Sequence, residues 1–296
     1  MPLLGELSAL LTAFLWSGTS IVFSEATQRV GSIMVNITRM VLALLLLLVT
    51  VLVMGLPMQL SGSQIGNLVI SGIIGLVLGD SFLFRAFKDI GPRISMLLMA
   101  LVPAMSAVLA WMFLGEALAA LDLAGMIVTM GGVALVILDR RANASIPRRV
   151  KLLGVLFGVL AALGQAAGLI FAKFAFNEAP IHSMVATLVR IAAAVLLFLP
   201  VAMLFKWYKN PFRVYAREPK ALLYTSIGAI IGPYLGITFS LVAIVHTEVA
   251  IATTIMSLPP IIMLPLVRIV YKEHLTARAV LGALLAVAGV AVLFLR

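Results

Sequence analysis

Asp80, Arg39 and Arg190 stand inside otherwise apolar stretches of this sequence. An ionisable group in such a setting marks a charge pair, a solute path or a proton relay, because an isolated charge there is expensive. Asp80 is the carboxylate placed well inside an apolar run, about four residues, or roughly 6 Å at 1.5 Å per residue, from the run's inner end. Arg39 enters its own run about six residues, or roughly 9 Å, from the same side. The shared side and depth leave two readings open. The two side chains can pair, or Arg39 can extend to the lipid headgroups while Asp80 anchors a helix end. Arg190 has no such carboxylate mate. It can bond helix carbonyls, meet Glu116, or face an anionic part of a solute. Asp80 is also the obvious candidate for carrying a proton.

Other chemistry is excluded more simply. His182, His246 and His274 lie far apart and near loops, and the chain has no cysteine. No paired histidine or carboxylate cluster has metal-ligand spacing, so neither metal nor cofactor is expected. No glycine-rich loop ending in Lys-Ser/Thr appears, and no nucleophile–base spacing stands out, so neither ATP hydrolysis nor another enzymatic activity is expected.

Polar or adaptable side chains at mid-depth nominate a site: Trp16, Ser17 and Gln165; Ser81, Tyr234 and Thr238; Met99, Thr253 and Ser257. Singly, each has a bland explanation, since Ser and Thr can bond their own helix's carbonyls and Met fills gaps. Together they predict a mostly apolar, weakly polar cavity. Such a cavity suits a small zwitterionic or amphipathic metabolite better than a phosphate ester, which needs several convergent cations.

The elements that position these residues follow from composition. Of 296 residues, 63% are hydrophobic and 11% charged, and mean hydropathy is +1.20. Soluble domains average about 45–50% apolar and about 25% charged, so the solvent here is lipid. A soluble enzyme is excluded, and a nucleic-acid partner is not expected despite a net charge of +10. A span needs about 20 apolar residues. Runs near 4–23, 33–55, 66–84, 93–114, 119–138, 152–175, 183–205, 220–243, 248–270 and 276–295 predict an all-α, polytopic membrane protein with ten transmembrane helices. The start carries Glu6 and lacks a basic region, so the first span is read as retained rather than as a cleaved signal.

With ten spans, 17 of the 21 basic residues fall in odd-numbered connections. Lys and Arg concentrate on the cytoplasmic side, which places those connections inside and both termini outside. Pro103, Pro233, Pro259 and Pro260 interrupt helical hydrogen bonding. Freed carbonyls at that depth must face protein or a watery cavity, which predicts that the fourth and ninth spans form cavity walls.

The chain is also written twice. Leu4, Gly5 and Leu11 correspond to Leu153, Gly154 and Leu160 at a spacing of 149, and Arg39 to Arg190 at 151. At 157, Gly75, Gly79, Phe82 and Ala86 fall on Gly232, Gly236, Phe239 and Ala243, Met99 on Met256, Pro103 on Pro260, and Glu116 on Glu273. Gln165 aligns with Trp16, and Ile237 with Asp80. The predicted units are 1–138 and 152–296, joined by a basic cytoplasmic linker, 139–151. Five helices per unit make the repeat inverted, an architecture of secondary transporters. Stripes of small residues (Ser71, Gly75 and Gly79; Gly228, Gly232 and Gly236) predict close helix packing. Glu116 and Glu273 sit at helix ends, where loop pairing accounts for them.

The arginine early in each second helix, the proline-bearing helix ending at Gly115-Glu116 and at Lys272-Glu273, and the glycine-bearing closing helices resemble the EamA family of the drug/metabolite transporter superfamily. The resemblance covers nearly the whole chain. It implies carriage of small metabolites such as amino acids, purines or sugar derivatives by alternating access in a prokaryotic plasma membrane. Lys272 departs from the usual Gly-Glu pair. The multidrug branch of that superfamily uses a mid-membrane Glu in its first helix. Phe14 to Ser17 occupy that depth here, so drug export by that device is not implied. The partners expected are a small-molecule substrate and membrane lipid. Proton coupling and the choice between monomer and homodimer stay open, and a lipid or lipid-linked headgroup flippase is the alternative function.

Overall fold

A computed structural model describes residues 3–137, 148–259, 261–262 and 276–294, and among them every ordered element is helical. The first helix, α1 (Leu4–Val30), outruns its predicted end at 23. Its last turns are polar, with Glu25 and Arg29 paired one turn apart at 3.7 Å. Hydropathy marks only the lipid-buried part of a helix, and this extension lies beyond it. Gly31, at φ +91°, separates α1 from α2 (Ser32–Val53).

The third predicted span is longer and less regular than 66–84. It begins with a capping box, in which Ser61 and Gln64 satisfy each other's backbone N–H. It then runs through α3 (Gly62–Gly72), a π-helical segment π1 (Ile73–Gly79) and α4 (Asp80–Met99). The axis breaks inside α4 at Gly91, where φ is +76°, a conformation that side-chain-bearing residues rarely adopt. Asp80 is therefore eleven residues from that break, not four from a helix end. At 1.5 Å per residue it lies roughly 16 Å along the helix from Gly91.

The fourth predicted span is split. The end of α4 and the start of α5 (Val102–Leu114) flank residues 100–101, and Pro103 sits in the first turn of α5, where its missing N–H is tolerated. Next come α6 (Ala120–Ile137), α7 (Arg148–Glu178) and α8 (Ser183–Leu204). A short α9 (Pro211–Arg217), capped by the Asn210 side chain, was not foreseen. It precedes α10 (Pro219–Ala229), a second π-helical segment π2 (Ile230–Tyr234) and α11 (Leu235–His246). Then α12 (Val249–Met256) stops at Ser257, just before Pro259. The last helix described is α13 (Ala277–Phe294). Pro260, Lys272, Glu273 and most of the predicted ninth span beyond 259 lie outside the described residues.

Among the described residues, six stretches are long and apolar enough to cross a membrane: Leu4–Val30, Ser32–Val53, Gly62–Gly91, Leu152–Glu178, Ser183–Leu204 and Pro219–His246. Shorter apolar helices cover most of α5, α6 and α13. The distribution of polarity is that of a protein dissolved in lipid. Leu196 is 74% exposed, whereas Arg190 on the same helix is 2% exposed.

Small residues set the helix crossings. α7 lies against π1, Gly168 over Gly75 and Gly164 over Gly79, so closely that a Cβ on Gly164 would come within 2.9 Å of the Gly79 Cα. Ser71 Oγ donates to the Gly168 carbonyl across this crossing. α1 crosses π2 and α11 in the corresponding way, but here side chains fill the gap: Phe23 and Thr19 face Gly232, and Trp16 faces Gly236. α6 and α13 meet through Gly125, Gly132, Gly282 and Gly289. α7 is thus packed among α3, π1 and α4, and α1 among α10, π2 and α11.

Candidate functional site

Where these crossings meet, α1, α2, α4, α7, α8 and α11 enclose a cavity of about 90 Å³. That is room for several water molecules or a small organic group, since one water needs roughly 10–15 Å³ on this measure. Of the twelve residues nominated by sequence, Trp16, Arg39, Asp80, Met99, Gln165 and Arg190 line it.

The polar end is built around one ion pair. Arg39 Nη2 donates to Asp80 Oδ2. Gln165 Nε2 donates to the other carboxylate oxygen, Oδ1, at 2.7 Å. Asn36, one helical turn before Arg39, accepts from Arg39 Nε at 3.0 Å and Nη2 at 2.9 Å. The guanidinium also lies 5.2 Å from the ring centre of Phe23 and 4.7 Å from that of Phe84, an arrangement in which π-faces stabilise a cation. A buried pair repays its desolvation only where further hydrogen bonds support it, and here Asn36 supports the guanidinium and Gln165 the carboxylate. Of the two readings of Arg39 and Asp80, pairing is the one realised.

Arg190 lines the same cavity from α8. Its Nε is buried without a hydrogen-bond partner, and among the described residues it makes no hydrogen bond or ion pair. Glu116, one of its possible mates, is engaged elsewhere: its Oε2 accepts from the Val249 backbone N–H at 2.9 Å, capping α12. Two glycines make room for the arginine. At Gly72 a Cβ would collide with the Arg190 backbone carbonyl, and at Gly75 it would come within 3.3 Å of Nη2.

The other six nominees bond away from the cavity lining. Ser17 donates to the Ala13 carbonyl at 2.6 Å and Thr238 to that of Tyr234 at 2.6 Å. Thr253 reaches the Val249 carbonyl and Ser257 that of Thr254. Ser81 accepts from Asn36 Nδ2 at 3.2 Å, behind the ion pair. The Tyr234 hydroxyl lies 2.9 Å from that of Thr50. Sequence reasoning missed Asn36, whose signal was an amide three residues before Arg39 on one helix face. It also missed the lining aromatics Phe23, Phe84 and Phe87, whose type and spacing are those of ordinary core.

A second, wider recess lies where α1, α7 and the connections after α5 and α11 meet, lined by Glu6, Glu116, Lys173, His246 and Glu248 among others. Lys173 Nζ donates to the Ile244 carbonyl there, and Thr247 Oγ1 to Glu6 Oε1 at 3.2 Å. Burial pushes the Glu116 carboxyl up, against the opposing pull of the Val249 N–H and of Lys173. Among the described residues no group of three or more His, Asp or Glu is arranged to hold a metal.

No curated protein sequence matches the chain. A solved crystal structure of a protein shares its fold at a TM-score of 0.76 and 17% identity, the match covering 98% of this chain and 96% of that one. The family model for the EamA-like transporter family matches residues 3–138 and again 152–295. The chain is an integral membrane protein and belongs to the EamA-like transporter family, whose members carry small solutes.

Proposed function

We propose that the protein is a secondary transporter that moves a small amphipathic or zwitterionic metabolite across the plasma membrane by alternating access. Ten spans form two inverted five-helix repeats, 1–138 and 152–296, with both termini outside. The observation that carries this reading is the way positions related by the repeat meet at one cavity. Five such pairs line it: Trp16 with Gln165, Ser20 with Leu169, Arg39 with Arg190, Asp80 with Ile237, and Leu83 with Ser240. The local irregularities recur in the same register. π1 starts at Ile73 and π2 at Ile230, 157 apart; α4 ends at Met99 and α12 at Met256, also 157 apart. Single π-type turns concentrate at functional sites. A centre built from equivalent pieces of two oppositely threaded halves can present itself to either side when the halves exchange conformation.

Uptake into proteoliposomes, screened over amino acids, nucleobases, sugars and organic acids with and without a pH gradient, tests the function. Saturable uptake of at least one solute is expected, and its absence across the screen sinks the carrier reading. Reporter fusions at residues 1 and 150 test the threading. Opposite faces are expected, and a shared face overturns the inverted repeat.

A further inference from the structure

The cavity's charges do not balance. Arg39 and Asp80 neutralise one another, and both carboxylate oxygens are occupied, one by Arg39 and one by Gln165. Arg190 is left as a buried guanidinium with no partner for its Nε. At the position equivalent to Asp80 the second half supplies Ile237, which lines the cavity but cannot answer a cation. The remaining walls are mostly apolar, including Leu76, Leu83, Phe84 and Leu169, and the lining hydroxyls of Thr19, Ser20 and Ser240 donate to carbonyls of their own helices.

Resting on the transporter reading, we propose that the cavity takes a small monocarboxylate with an apolar body, its carboxylate held by Arg190. A guanidinium offers five N–H donors in a planar fork that fits a carboxylate two bonds at a time. Water in the cavity can accept hydrogen bonds from Arg190 but brings no charge. One carboxylate cancels the residual +1 left by two arginines and one aspartate. A phosphate ester dianion overshoots to −1 in a site closed by leucine and phenylalanine, where an unbalanced charge is costly. A neutral solute leaves Arg190 unanswered. A zwitterion satisfies the fork but, being neutral overall, leaves the residual +1 uncancelled. Gly75 belongs to the same device, because the space a Cβ would fill there lies beside Nη2.

The test uses the purified full-length chain in nanodiscs and the fluorescence of Trp16, with Trp111→Phe and Trp207→Phe introduced to remove the two exposed tryptophans that lie away from the cavity. The probes share one body: 3-phenylpropionate, its neutral amide, and the zwitterion phenylalanine. The acid is expected to quench Trp16 with a Kd at least about tenfold below that of the amide or phenylalanine, a difference of about 1.4 kcal/mol or more. In Arg190→Gln the preference for acid over amide is expected to fall below about twofold. Gly75→Ala, a milder change, is expected to weaken the acid and leave the amide unchanged. Equal binding of acid and amide by the unaltered pocket, no binding of the acid, or a preference that survives Arg190→Gln would each overturn the proposal. The unaltered pocket decides the matter even where a variant fails to fold. Arg190-dependent binding without uptake of any screened solute sinks the carrier and leaves the anion site. Uptake confined to neutral or zwitterionic solutes does the reverse.

Discussion

Arg39 and Arg190 each stand seven residues into their helices, α2 from Ser32 and α8 from Ser183, and both reach one cavity, yet among the described residues only Arg39 pairs with a carboxylate. In the proposed repeat, the cation stands in both halves and the anion in one. The consequences can be measured at the pair, at the crossings and at the cap of α12.

Breaking the pair from one side strands a charge. Asp80→Asn leaves Arg39 and Arg190 without a balancing carboxylate and is expected to lower stability by about 3–5 kcal/mol, the usual penalty for an orphaned buried ion. Replacing both partners, Arg39→Met with Asp80→Leu, is expected to recover at least half of that loss. Thermal unfolding in matched nanodiscs distinguishes the two, and a double variant no more stable than Asp80→Asn contradicts the description of Arg39 and Asp80 as a mutually neutralising pair.

The crossing of α7 over π1 has no side chain between the backbones. Gly168→Ala puts a methyl about 3.0 Å from the Gly75 Cα and is expected to destabilise by about 1–3 kcal/mol through overpacking. Gly66, on the same span with nothing within 4 Å, is the control. Gly66→Ala is expected to be neutral or to stabilise by up to about 1 kcal/mol, since Ala is the better helix former. Equal losses at both positions would mean that the crossing is looser than its geometry.

Thr253 spends its hydroxyl on its own helix, with bonds to the Val249 and Ala250 carbonyls. Thr253→Val is therefore expected to leave probe affinity within about twofold. A tenfold loss would return Thr253 to the binding set nominated by sequence.

Glu116 gives the protein a pH dependence of known sign. Burial raises its pKa above the ordinary 4.5, so the folded chain holds that proton at pH values where the unfolded chain has released it. The stabilising contribution is present below the ordinary value and is lost as pH rises through the raised one. Glu116→Gln keeps an acceptor for the Val249 N–H and removes the titration. The stability difference between wild type and variant should shift in favour of Gln as pH increases across that window. A difference that does not change with pH removes Glu116 as its source.

What the sequence made legible follows physical lines. Prolines 103 and 259 announced the breaks beside α5 and after α12, because a missing N–H acts locally whatever surrounds it. That Arg39 and Asp80 could pair was readable from span counting, although the length of the helix around Asp80 was not, since Gly62–Gly91 continues past the point where hydropathy falls. Convergence of Arg190 was hidden. Arg39 and Arg190 stand 151 residues apart on separate helices, and only the packing of those helices brings both into one space. Hydroxyl residues misled for a different reason. Ser17, Thr238, Thr253 and Ser257 are polar in composition and satisfied within their own helices, a difference that lies in rotamers rather than in residue type. The aromatic bracket around Arg39, from Phe23 and Phe84, leaves no trace in spacing.

The burial of Arg190 has one more consequence. Mobile ions weaken exposed charge pairs over a Debye length of about 8 Å at physiological ionic strength, but they reach a buried group far less. With Arg190 only 2% exposed, a carboxylate seated on it should stay bound in strong brine, whereas any attraction from the basic connections at the membrane surface would fade. Salt titration therefore separates recognition deep in the fold from mere accumulation at its mouth.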